Sequence, residues 1–367
     1  MQSIDTLSDF LTVAGSGHAA TTAYRIYDLS RRVQRLDNQE FARIERGEAP
    51  FPTPRQQHAF LGIVFWNTAK ANDPYIWFIK LPLDERGLFQ HAARQHFLSI
   101  IVAALDSPEQ QLSAAEQEKI LAQNPYIFTP DEPRRAAFHA LVSAELSHPP
   151  SIYYEDAQAW LSGTGLDDDN QSTTGAWENL AVQGIHDVCT RDLHKSQLQQ
   201  NLIRSFAQWP EPLQQAIVEA IEHQELPATL AQHWRNELKQ ALQQQSVATN
   251  FVLTRLRLLA SHADQAATQN VVKQLLAALP AQQPDRQDIL LALSARCWPA
   301  LATPANCEAF LTAAAAESQE VFTTLFRDLV MLPSLRGLLL NLLRQPQLAP
   351  ELQMAVAKLV QRTRSGS

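Results

Sequence analysis

The stretch FLGIVFWNTAKANDPYIWFIKLPLDERGLFQHAARQHF (60–97) constrains the fold more than any other part of the chain. It reads as strand, polar turn, strand and then helix. The segments at 57–66 and 74–81 are rich in aromatic and β-branched residues, which favour strands, and Asn72-Asp73-Pro74 is a turn signal between them. Both are almost continuously apolar, so both faces of this hairpin are expected to be covered. Asp84 stands where a helix N-cap belongs and Glu85 in the first turn suits the helix dipole. The spacing predicts a helix from there to about Leu105 that buries Phe89, Ala93, Phe97, Ile100, Ile101 and Ala104.

The residues ahead of the hairpin supply partners for it. IDTLSDFLTV (4–13) has helical apolar spacing, AYRIYDL (23–29) alternates as a strand, and RRVQRLD (31–37) offers a second short strand. NQEFARIERGE (38–48) reads as a short helix capped by Asn38 and closed at Gly47. Prolines 50, 52 and 54 keep the next segment extended.

After the hairpin the pattern is helical, with helices expected at about 113–123, 131–147 and 153–163. The polar, turn-rich run GTGLDDDNQSTTG (163–175) marks a linker, and from Trp177 to Arg364 almost every segment has helical periodicity. A weak internal repeat appears there: Trp209-Pro210 and Leu332-Pro333 each start a helix, with a second proline, Pro227 or Pro350, at the same distance beyond. Helix pairs joined by proline-bearing turns are the signature of HEAT-like or armadillo-like arrays, and the irregular period leaves a compact bundle as the alternative. The expected fold class is therefore mainly α. A small antiparallel-sheet α+β module (1–165) leads through an acidic linker (166–175) into an α-helical array (176–364).

Composition narrows the function classes. Only 11 glycines in 367 residues argue against an all-β sandwich. A net charge of -8 without a long basic run lacks the electrostatic footprint of a nucleic-acid binder. Cys189, Cys297 and Cys307 form no C-x-x-C pair, so neither a disulfide framework nor a thiolate metal site is expected. No apolar run is long enough for a membrane span and the N-terminus lacks a basic leader, so a cytoplasmic protein is expected.

Four constellations offer chemistry. Arg86, Gln90 and Arg94 fall at i, i+4 and i+8 of the helix expected after Asp84, and with Lys80 they would form a cationic strip able to hold a carboxylate or phosphate. The same pattern also describes an ordinary solvated face. His139 and the His186-Asp187 dipeptide provide imidazole and carboxylate donors that suit a divalent ion in a hydrolase. In the plainer reading, Asp187 lies on the surface and pairs with Arg191 at i+4. Asp28, within YDLSRR, reads as a buried carboxylate tied to an arginine. Asp167, Asp169, Gln171 and Glu178 match calcium-loop positions, but Ser172 stands where that loop needs glycine. His91 and His96, five apart, lie about 140° apart around a helix and do not share a face. No phosphate-binding, dinucleotide, nucleophile-elbow or zinc-protease motif is present.

The blocks YRIYDLSRRV, FPTPRQQHAFLGIVFW, YIWFIKLPLDERGLFQHAAR, NPYIFTP, VQGIHDVCTRDLH and LFRDLVMLPSLRGLLL together resemble an uncharacterised proteobacterial family of the domain-of-unknown-function type, from about Tyr24 to about Leu359. The resemblance implies a bacterial stand-alone protein and brings no activity or catalytic residue. The leading expectation is a non-enzymatic scaffold whose helical surface holds a protein partner, with no cofactor, no nucleic acid and no membrane insertion. The alternatives are a metal-dependent hydrolase using His139, His186 and Asp187, and an anion sensor using Lys80, Arg86 and Arg94.

Overall fold

A computed structural model describes residues 6–13, 22–67, 74–105, 124–163, 176–244, 247–279, 285–345 and 347–365. The chain divides into two compact units, one of residues 1–130 with 331–333 and the other of 131–330 with 334–367. The fold is mainly helical, with one small antiparallel sheet in the first unit followed by a helical array.

In the first unit, β1 (Thr22–Asp28), β2 (Gln34–Leu36), β3 (His58–Asn67) and β4 (Tyr75–Pro82) form an antiparallel sheet in the order β2-β1-β3-β4. The expected hairpin is its centre, with Ile63 opposite Trp77 and Leu61 opposite Ile79. The outer edge of β4 is covered by the NPYIFTP segment: Lys80 N–H donates to the Tyr126 carbonyl at 2.7 Å and Phe128 N–H to that of Phe78 at 3.1 Å. Such pairing covers main-chain groups that an open edge would leave exposed.

Strand alternation divides the apolar residues between two faces. Ala59, Leu61, Ile63, Ile79 and Leu81 join Ile26 in the core under three helices, α1 (Leu7–Val13), α2 (Asn38–Glu45) and α3 (His91–Leu105). Tyr27 and Val64 are buried on the opposite face, and Phe60 and Phe78 meet the Phe128 ring edge-on at 5.1 and 6.1 Å. Covered aromatics on both sides explain why the strands are nearly continuous in apolar residues.

Two helix starts differ from the sequence reading. The cap of α2 is Asp37, which accepts from the Gln39 and Glu40 N–H groups, rather than Asn38; the Asn38 side chain instead donates to the Tyr24 carbonyl. Asp84 caps a turn, not a helix: its carboxylate accepts from the N–H groups of Arg86 and Leu88, and α3 begins only at His91. Gly87, at φ +82, adopts a left-handed conformation that ends any helical path from Asp84.

The second unit runs α4 (Glu132–Glu145), α5 (Tyr154–Ser162), α6 (Val182–Asp192), α7 (Ser196–Ser205), α8 (Glu211–Ile221), α9 (Ala228–Ala241), α10 (Thr249–Leu258), α11 (Ala266–Ala278), α12 (Arg286–Arg296), α13 (Pro304–Glu317), α14 (Gln319–Val330), α15 (Pro333–Leu342) and α16 (Pro350–Ser365). Alternate helices pack on one another. The even series α4, α6, α8, α10, α12 and α14 stacks in order, and beside it stacks the series α5, α7, α9, α11, α13 and α16. The repeat prolines sit at helix starts, Pro210 and Pro227 just ahead of α8 and α9, Pro333 and Pro350 as the first residues of α15 and α16. Proline fits there because the first turn leaves its missing N–H without consequence.

The boundary between the two compact units falls earlier in the chain than the expected linker. Helices α4 and α5 pack on α6, α7 and α8 and so belong with the array. Residues 164–175, which hold most of that linker and Asp167, Asp169, Gln171 and Ser172 of the calcium-loop pattern, lie outside the described residues, as does the helix expected at 113–123. Gly163, at φ +72, closes α5. Gly184 has a different role: a Cβ there would lie 2.5 Å from the Tyr153 carbonyl oxygen, so α6 approaches the α4–α5 connection as only glycine permits.

Candidate functional site

The cationic strip does not form on one helix face, because Arg86 precedes α3. Arg86 is exposed in the Asp84 turn and pairs with the Asp84 carboxylate at 3.1 Å. Arg94 is buried and donates to the Glu45 carbonyl, while Lys80 lies on β4. Arg94 thus helps hold a structural joint. The buried Glu45 carboxylate accepts from the N–H groups of Leu7 and Ser8 at 2.8 and 2.9 Å and fastens the start of α1 to α2. Desolvation raises the Glu45 carboxyl above its ordinary value despite the Ser8 and Leu7 hydrogen bonds.

Asp28 is fully buried and accepts from the Thr53 hydroxyl and from Ser30 N–H at 2.7 Å, so hydroxyl and amide donors, not the expected arginine, satisfy it. Desolvation lifts its carboxyl to about 6, with the Thr53 and Ser30 hydrogen bonds opposing that rise.

The His-Asp dipeptide also sits differently from expectation. Helix α6 packs against α4, α5 and α8, so it is buried on more than one side and both His186 and Asp187 are interior. Asp187 accepts from Ser151 N–H at 2.9 Å and from the Gln183 amide at 3.3 Å, fixing the α4–α5 connection. Arg191, its expected partner, donates instead to Ser143 Oγ and the His148 carbonyl, each at 2.8 Å. His139 is exposed on α4. Among the described residues no three His, Cys, Asp or Glu side chains are placed to hold a metal ion, so His139, His186 and Asp187 are not assembled as a metal centre. His96 and His91 also stay apart in function: His96 Nδ1 meets the Tyr126 hydroxyl at 3.2 Å, and His91 is exposed.

What the array does assemble is a charged seam along its even series of helices. Glu222, at the end of α8, is 3% exposed. Its Oε2 accepts from Arg257 Nε of α10 at 2.7 Å and from Arg296 Nε of α12 at 3.0 Å, so one carboxylate joins three successive helices of the stack. Arg257 also approaches Glu219 at 3.8 Å, and on α4 the Arg134 guanidinium meets Asp131 at 3.4 Å. These residues with Pro133 and His223 line a partly open cavity of about 90 Å³.

Burial alone would push the Glu222 carboxyl up. The Arg296 charge, the Arg257 hydrogen bond and their combined field overcome that effect and hold it at about 2. His223 Nε2 lies 3.8 Å from Glu222 Oε1, but desolvation pushes its imidazole down to about 3, so it is neutral at physiological pH. Desolvation likewise lowers His186 to about 4; both of its ring nitrogens are buried without a hydrogen-bond partner. The seam is therefore carboxylates and guanidiniums in balance, with two neutral imidazoles.

Sequence reasoning passed over Glu222, His223, Arg257 and Arg296. A signal was present: Glu222 falls four residues after the buried Val218 and Arg296 three after the buried Leu293, where the apolar stripe of each helix calls for another apolar residue. Charged residues in register with a buried stripe need partners, and here they find one another.

The family model described as Protein of unknown function (DUF3549) matches residues 2–360. The chain belongs to this family. The match covers both compact units, so the sheet and the helical array together make up the DUF3549 fold. Comparison with curated proteins and with solved structures returns no match. Among the described residues, no helix is long and apolar enough to cross a membrane.

Proposed function

We propose that this DUF3549 protein is a cytoplasmic binding or scaffold protein whose helical array, HEAT-like in its arrangement, holds a protein partner. The observation that supports this reading is the two-series stacking, in which α4, α6, α8, α10, α12 and α14 follow one another in one row and α5, α7, α9, α11, α13 and α16 in the other, with neighbouring helices such as α5 and α6 or α13 and α14 packed across the rows. Arrays of that kind grow by adding helix pairs and offer long continuous faces suited to extended partners. The proline-led starts of α8, α9, α15 and α16 are consistent with a repeated helix-pair unit.

The test is cross-linking mass spectrometry on the full chain, purified at native abundance from cells that make it. Lys239, Lys273 and Lys358 are exposed on α9, α11 and α16, three members of one series. A stoichiometric partner cross-linked to at least two of these lysines is the expected result. A chain that elutes as a free monomer with no cross-linked protein overturns the proposal.

A further inference from the structure

We propose that the cavity beside Glu222 is a receptor for a single carboxylate group, a binding site that does not depend on the scaffold reading. The guanidiniums of Arg257 and Arg296 are each fixed through Nε to the same buried carboxylate oxygen, which orients both without using all their donors. Arg257 Nη2 only approaches Glu219, at 3.8 Å, and Arg296 Nη1 makes a long contact of 3.4 Å with its neighbour's carbonyl. Neither residue has a nitrogen among the buried side-chain atoms that lack a partner, so the remaining N–H groups reach the cavity or solvent. Two pre-oriented guanidiniums with donors to spare are the recognition element for a planar oxyanion.

Size and charge select the class. A cavity of about 90 Å³ is small, with room for a group the size of a carboxylate and its first carbon. Arg134, Arg257 and Arg296 are balanced by Asp131, Glu219 and Glu222, and His223 is neutral. In a lining of balanced charge a doubly charged phosphate meets about twice the repulsion from Asp131, Glu219 and Glu222 that a single carboxylate does, so the singly charged group fits better beside the guanidinium donors. The carboxylate can come from a small acid or from an acidic side chain, and both present the same group to the same donors.

The test uses the full chain with 15N-labelled arginine, following the Arg257 and Arg296 Nε–H signals. Sodium acetate is titrated against sodium chloride at equal ionic strength. A saturable shift of both signals with acetate alone is expected. A response that is linear, or identical with chloride, overturns the proposal by showing screening of a water-filled ion network. The double variant Arg257→Lys/Arg296→Lys keeps both charges opposite Glu222 but loses the forked donors. It is expected to bind acetate about tenfold or more weakly, from the loss of charge-assisted hydrogen bonds. Undiminished acetate binding in a folded double variant would also overturn it; should that variant not fold, the acetate-against-chloride contrast in the unmodified chain still decides. A terminally blocked Gly-Asp-Gly peptide forms the second arm. Binding of acetate alone assigns the site to free small acids, and tighter binding of the peptide assigns it to acidic side chains.

Discussion

The two compact units bury carboxylates in opposite ways. In the sheet unit Asp28 is surrounded by hydroxyl and amide donors, Thr53 and Ser30, and its carboxyl rises to about 6. In the helical unit Glu222 is held by two arginines and its carboxyl falls to about 2. Burial opposes ionisation at both sites; what differs is whether a cation compensates for the lost water. The first arrangement closes on itself and serves the fold. The second fixes cations that retain unused donors, which is why the helical unit, not the sheet, carries the candidate site.

Acid should affect the two regions with opposite sign, and the helical unit should dominate. The imidazoles of His186 and His223 titrate lower in the folded chain than the ordinary 6.5, so between pH 6.5 and about 3 the unfolded chain binds more protons. Stability is therefore lost as pH falls through that window, and Glu222 adds a loss in the same direction between its ordinary 4.5 and about 2. Together these amount to several kcal/mol in order of magnitude, since each tenfold difference in proton affinity between folded and unfolded chain is worth roughly 1.4 kcal/mol. Urea denaturation from pH 7 to 4 measures it; a flat profile would show that the seam is hydrated rather than buried.

Glu222→Gln removes one charge from the triplet and leaves two arginines facing a neutral amide. The expected loss is about 3–5 kcal/mol, the usual cost of breaking a buried ion pair. If urea denaturation at pH 7 shows less than about 1 kcal/mol, the magnitude of a surface pair, the contrast between the units collapses.

Asp28→Asn should do far less, changing stability at pH 8 by about 1 kcal/mol or less, because Oδ1 can still accept from Ser30 N–H while the NH2 that replaces Oδ2 donates to the Thr53 hydroxyl, which can turn to accept. Its linkage runs the other way. The folded carboxyl takes up a proton near pH 6, before the unfolded one at 3.8, so Asp28 adds stability as pH falls between those values. Carboxyl 13C NMR of the parent chain should show this titration near pH 6, and the asparagine variant should lack it. A midpoint near 4 would mean that a cation reaches Asp28 after all.

The smallest effect belongs to Arg86→Ala. Its pair with Asp84 is exposed, so about 0–0.5 kcal/mol is expected by urea denaturation. A larger loss would make the Asp84 turn a structural joint comparable to the one at Glu45.

Much of the fold was legible because it is written in local chemistry. Covered strands at 57–66 and 74–81, the helix stop at Gly163 and the proline-led helices all depend on residues a few positions apart. The start of α3 was misread because an Asp followed by Glu fits a turn as well as a helix N-terminus, and only Gly87 distinguishes them. Asp187 was misplaced on the surface because helical periodicity assumes one buried face, whereas α6 is covered by α4, α5 and α8.

By itself, then, the sequence determined a sheet-bearing N-terminal region, a helical remainder and membership of the DUF3549 family. Tertiary structure decided which charges meet. Glu222 joins Arg257, 35 residues on, and Arg296, 74 residues on, and neither separation is a helical or strand period. Only the stacking of α8, α10 and α12 brings them to one carboxylate, and burial then requires that they pair.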